Sequence, residues 1–201
     1  MLYLLGMFSM GIFAVTSIIS TQNKNIDIFS AIFLAAITAL GGGTVRDVIL
    51  GQYPVFWMQD LNYLWVSIGT AFIAFFIVQS LRHRYQLLLY LDALAAALFS
   101  IVAASTVLSL GYSAPIAIVM GLITAIVGGI LRDLLTGHPS ILMRKEMYAT
   151  PILLGLIIYI FLRSFLPNPV VNIPLCIAIS FLFRSLAIRY QWQYPGSLCS
   201  Q

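Results

Sequence analysis

Four charged side chains in this chain stand where charge is expensive. Arg46 and Asp47 follow three consecutive glycines, Gly41, Gly42 and Gly43, and Arg132 and Asp133 follow Gly128 and Gly129, each set within a long apolar run. A charge at the bilayer centre costs about 2.5–3.5 kcal/mol even on a lenient insertion scale, so such residues are paired or hydrated. Adjacent helical residues point about 100° apart, which makes Arg46 and Asp47 poorly placed for each other. Pairs across the two motifs, Arg46 with Asp133 and Arg132 with Asp47, are a symmetric alternative. Such pairs either fix two helices together or take a direct part in moving or gating ions.

The glycines have two uses of their own. They let helices approach closely, or they let a helix open and free backbone carbonyls that replace part of a cation's water shell. Duplicated glycines beside duplicated charge favour the break, because close packing alone requires no charge. Thr38 and Thr124 lie one turn before the glycines and could face a path, although a membrane-helix hydroxyl often bonds its own backbone. Asp92 is a further carboxylate in an apolar run, placed to attract cations or to be hydrated near the end of its span.

Catalysis finds no support. There is no HExxH or GxSxG motif, and the two histidines, His83 and His138, have no metal-site spacing. The two motif aspartates each stand beside an arginine and stay ionised, unlike a protease dyad. No enzyme activity, metal or cofactor is expected.

The elements that must position these residues are read from composition. The chain of 201 residues is 61% hydrophobic and 8% charged, with a mean hydropathy of +1.02, beyond the range of soluble domains. Seven apolar runs approach the roughly 20 residues that cross a ~30 Å hydrocarbon layer: Leu2 to Ser20, Ile28 to Leu50, Leu61 to Leu81, Leu87 to Leu110, Pro115 to Gly137, Met147 to Leu166 and Val170 to Ile188. None alternates as barrel strands do. The chain is expected to be an all-α integral membrane protein with seven transmembrane helices in a single domain, 1–201. The first run lacks the basic flank of a cleaved signal and is expected to be retained.

The net charge of +4 reads as topology rather than nucleic-acid binding. Lys24, Arg82, Arg84, Arg144, Lys145, Arg184 and Arg189 fall in odd-numbered loops or at the C-terminal end, and only Arg163 borders an even one. The odd loops and C-terminus are therefore expected in the cytoplasm, the N-terminus outside. Cys176 and Cys199 form no disulfide framework, and Tyr190, Trp192 and Tyr194 suit a headgroup zone in the short tail, 191–201.

Shifted by 86 residues, ITALGGGTVRDVILG (Ile37 to Gly51) aligns with ITAIVGGILRDLLTG (Ile123 to Gly137), identical at 8 of 15 positions. This is an internal duplication relating 1–81 to 87–166, and three crossings per unit make the second copy inverted. A seventh helix, 170–190, is left over. The same shift brings Asp60 onto Glu146 and leaves Asp92 opposite Gly6.

The segments GGGTVRDVILG with YPVFW after it, and GGILRDLLTGHPSILMRKEMYATP, resemble the prokaryotic branch of the trimeric intracellular cation channel family. The resemblance implies a homotrimer in the cell inner membrane, with a separate pore in each subunit lined by the second and fifth spans, kinked at their glycines. It implies passage of potassium, sodium and other monovalent cations. Some related bacterial sequences are labelled as transporters of glycine or small amino acids, which makes a carrier the alternative.

Overall fold

The computed structural model describes residues 1–22, 24–78, 84–143, 147–166 and 168–193. Arg82, His83, Arg144, Lys145, Glu146, Tyr194 and Cys199 lie outside them, as does the Arg84 side chain. Among the described residues the regular elements are helical: α1 (Leu2–Thr21), α2 (Ile28–Ile49), α3 (Phe56–Gln59), α4 (Asn62–Val78), α5 (Arg84–Ser109), α6 (Ala114–Leu135), a 3-10 turn (Ile141–Met143), α7 (Ala149–Phe165) and α8 (Pro169–Arg189).

Five of these helices, α1, α2, α5, α6 and α8, are long and apolar enough to cross a membrane. The other two expected spans form α4 and α7, apolar helices in which 17 residues each are described. Helix boundaries follow local chemistry. Asp27 caps α2, its carboxylate accepting from the backbone N–H groups of Phe29 and Ser30 at 3.1 and 3.2 Å. The Ser30 hydroxyl beside it holds that carboxyl below the usual range. Proline stands in the first turn of both α6 and α8. Gly51, Gly111 and Gly137, at φ of 65°, 87° and 62°, stand just past the ends of α2, α5 and α6, where the left-handed conformation favours glycine.

Long-range hydrogen bonds sort the helix ends. Asn62 donates to the Tyr3 hydroxyl at 3.1 Å and the Tyr112 hydroxyl donates to Leu50 O at 3.2 Å, gathering the N-terminus, the α2–α4 connection and the α5–α6 turn at one end. At the other, a ring nitrogen of His138 lies 3.1 Å from Ser20 O, joining the end of α6 to the end of α1. Helices α2 and α6 therefore run antiparallel.

The core forms where α5 packs on α1, α6 and α8. Its alanines Ala95, Ala96, Ala97, Ala103 and Ala104 are buried, so small side chains bring three neighbours close to its backbone. By contrast α2 and α6, packed on each other, each keep an exposed apolar face, with Phe29 and Phe33 on one and Val119 and Leu134 on the other.

Candidate functional site

Where sequence spacing favours a broken helix at the glycines, the helical hydrogen bonding of α2 and α6 continues through Gly41, Gly42 and Gly43 and through Gly128 and Gly129. The glycines serve contact instead. A Cβ built on Gly42 would lie 2.1 Å from the backbone oxygen of Thr124, and one on Gly128 would lie 2.8 Å from that of Thr38. These clashes are reciprocal under the 86-residue shift, so each repeat's glycine sits on the other repeat's threonine carbonyl. A crossing this tight admits only glycine. Gly41 and Gly43 face side chains, Leu131 and Phe56.

Thr38 and Thr124 are buried, and both turn inward on their own helix. Thr38 Oγ1 donates to Leu34 O at 2.8 Å, and Thr124 Oγ1 to Met120 O at 2.6 Å. Thr38 also reaches Ser17 Oγ, at 3.3 Å.

The charged pairs lie in the last turns of α2 and α6, displaced from the crossing in opposite directions because the helices are antiparallel. Four residues at about 1.5 Å each carry Arg46 and Arg132 some 6 Å to either side of the glycines. Pairing across the motifs is therefore not formed. Each arginine folds onto the aspartate next to it, Arg46 Nη2 reaching Asp47 at 2.7 Å and Arg132 Nε reaching Asp133 at 2.9 Å. Length overcomes the angular offset, since a guanidinium on three methylenes curls along the helix while the aspartate is held from elsewhere. The free oxygen of Asp47 accepts from Phe56 N–H at 2.8 Å, and that of Asp133 from Ile141 N–H at 2.9 Å. Each aspartate thus holds the start of the short helical turn that follows its own helix. A cation near a helix C-terminus also meets the favourable end of the dipole.

The two ends differ in depth. Arg46 has the Phe56 ring 5.6 Å away. Arg132 additionally donates to Asp92 at 2.8 Å and to Thr16 Oγ1 at 3.2 Å, tying α6 to α5 and α1. Asp92 is wholly buried and ion-paired to Arg132, so it is not a free carboxylate. Arg184, expected as a topology signal at the C-terminal end, is buried as well; it donates to Met147 O and stacks 4.8 Å over the Tyr148 ring. Asp92 Oδ2, Arg132 Nη2 and Arg184 Nε and Nη2 have no partner among the described residues.

Sequence reasoning missed Thr16, Tyr148, Arg184 and the two short turns. Only the turns left a signal: Phe56 and Ile141 each stand two residues after a proline, Pro54 and Pro139. Among the described residues no group of His, Cys, Asp and Glu could hold a metal.

Antiparallel helices crossing at glycine, flanked by buried ion pairs inside an apolar bundle, define a multi-pass membrane protein with a charged interior. A family model described as Glycine transporter matches twice, over residues 3–79 and 89–164. A UPF0126 membrane protein of Vibrio cholerae is 40% identical over 77% of this chain, which spans 65% of that relative's length. The UPF0126 inner membrane protein YadS of Escherichia coli is 29% identical over 97% of this chain and 95% of its own. Among solved structures, the TRIC trimeric intracellular cation channel orthologue from Rhodobacter sphaeroides is 37% identical, with a TM-score of 0.91 over 95% of this chain and 98% of that one. A prokaryotic TRIC channel crystallised in 0.5 M KCl is 30% identical, with a TM-score of 0.87 over 96% of this chain and 98% of the other. The chain belongs to the trimeric intracellular cation channel family, in its prokaryotic branch.

Proposed function

We propose that this protein is a cation channel of the inner membrane, a homotrimer whose subunits each carry a conduction path for potassium and sodium along α2 and α6. The observation that carries this reading is the full-length likeness to TRIC cation channels, with a TM-score of 0.91 at 37% identity. The geometry supports it: arginine–aspartate pairs are held on both sides of the α2–α6 crossing, and polar atoms without partners among the described residues belong to Asp92, Arg132 and Arg184. Such atoms in an apolar bundle call for water or ions. The proposed organisation is a single domain of two inverted repeats, 1–81 and 87–166, with the helix at 170–190 packed outside them. The N-terminus faces out and the C-terminus the cytoplasm. Membrane lipids surround the trimer, and nucleic acid is no partner.

Purified protein in a planar bilayer between potassium chloride solutions is expected to give discrete single-channel steps with a reversal potential that favours cations. The description of the family model as Glycine transporter favours a second reading, a carrier. Saturable glycine counterflow in proteoliposomes without unitary currents would replace the channel by that carrier.

A further inference from the structure

A cavity of about 270 Å³ opens between α5, α7 and α8 at the end of the bundle where the chain begins, lined by Leu2, Ser105, Ser109, Tyr159, Arg163, Pro169, Asn172 and Ile173. It lies apart from the α2–α6 crossing, and no residue of α2 or α6 contributes to its wall. Its polar chemistry is one-sided. Arg163 supplies a cation, and no carboxylate lines the cavity among the described residues. Tyr159 is 2% exposed and Ser105 7% exposed, yet neither hydroxyl has a hydrogen-bond partner among the described residues. Neither hydroxyl oxygen is sealed in the packing, so each opens onto the cavity and can donate to what occupies it.

The other polar groups are already turned to leave donors over. Asn172 gives one amide hydrogen to Leu166 O at 3.3 Å and uses its oxygen to accept from Cys176 at 3.1 Å, so its second N–H is free. Ser109 donates to Thr106 O at 2.7 Å. Pro169 opens α8, whose capping residue Asn168 accepts from Val170 N–H at 3.0 Å, and the positive end of that helix dipole points at the same space. One guanidinium, two hydroxyls free to donate and an amide N–H on the wall of one cavity, with no carboxylate among its described residues, describe an anion site.

We propose that this cavity binds the phosphate diester of a lipid headgroup, the single negative charge of the diester meeting the single positive charge of Arg163. The surroundings favour a lipid over a free anion. Phe165, Leu166 and Val170 beside the opening are exposed, a surface suited to acyl chains, and Arg163 stands in the last turn of a helix of 17 residues, at the depth where arginine reaches the interface. The volume holds a phosphate with its glycerol, since a water takes about 30 Å³ in the liquid.

The test is native mass spectrometry of the assembled protein released from micelles containing either phosphatidylglycerol or dioleoylglycerol, which has the same kind of chains and no phosphate. Wild type is expected to retain one phosphatidylglycerol per chain and no dioleoylglycerol. Arg163→Gln should lower the retained fraction by about tenfold and Tyr159→Phe by about threefold. Arg189→Gln, which removes the same charge from an exposed position elsewhere, should behave as wild type. The site is refuted if Arg163→Gln and Tyr159→Phe keep the lipid, if Arg189→Gln loses as much, or if dioleoylglycerol is held equally. Displacement by excess inorganic phosphate would assign the cavity to the free anion and overturn the headgroup. Because the readout is binding, absence of current in a bilayer would leave this result untouched.

Discussion

Arg132 joins two carboxylates where Arg46 joins one, and their removal should differ accordingly. Arg132→Gln leaves Asp92 and Asp133 without a cation at a site where Asp92 is wholly buried. Breaking a buried ion pair from one side costs about 3–5 kcal/mol, and the loss for Arg132→Gln should reach the upper part of that range. Arg46→Gln strands only Asp47, which retains the Phe56 N–H, and should cost less. Thermal melts of the detergent-solubilised variants decide the order, and equal melting temperatures would contradict the asymmetry. The double variant Asp47→Arg with Arg132→Asp should not recover stability, because these residues lie on opposite sides of the crossing and do not touch.

At the scale of the helix, the glycines rank by what a methyl group would strike. Gly42→Ala drives a Cβ to 2.1 Å from a backbone oxygen, which cannot swing away, whereas Gly41→Ala meets the end of the Leu131 side chain, which can. Overpacking typically costs about 1–3 kcal/mol. Gly42→Ala should exceed it and separate α2 from α6, while Gly41→Ala stays within about 1 kcal/mol. Gly128→Ala, at 2.8 Å from Thr38 O, should fall between them. Urea-accelerated proteolysis in detergent measures the series; a Gly42→Ala protein as resistant as wild type would mean that the crossing is looser than these contacts imply. Gly42→Leu, larger still, should dismantle the crossing.

For the whole molecule, the sorted helix ends make topology a single choice. The connections at Lys24 and His138 share one end, and those at Leu50 and Tyr112 share the other. If the basic bias sets orientation, a lone cysteine replacing Asn25 should be shielded from an impermeant thiol reagent outside intact cells, and one replacing Gln59 should react; the reverse labelling would turn the molecule over. Native mass measurement of the solubilised protein should show a trimer, and a dominant monomer or dimer would contradict it. The exposed apolar faces of α2 and α6 then belong either to lipid or to the neighbouring subunits.

Hydropathy and the 86-residue repeat determined the apolar helices, their approximate ends and the equivalence of the two glycine-arginine-aspartate motifs, because span length and repeat identity are one-dimensional properties. They also brought the left-handed glycines Gly51 and Gly137 into register. What each motif does depended on distance between helices, which no spacing along the chain encodes. Gly42 meets a backbone oxygen because α6 lies against it, so the helix stays closed where the glycine run permits opening. Arg46 and Asp47 pair, despite their angular offset, because an N–H two residues past Pro54 holds the carboxylate in place. From sequence, Asp92 reads as a carboxylate that attracts cations or is hydrated near the end of its span, and Arg184 as a topology signal at the C-terminal end. Only the packing of α5, α6, α7 and α8 buried them, since burial is set by what neighbouring helices cover and not by position in a span.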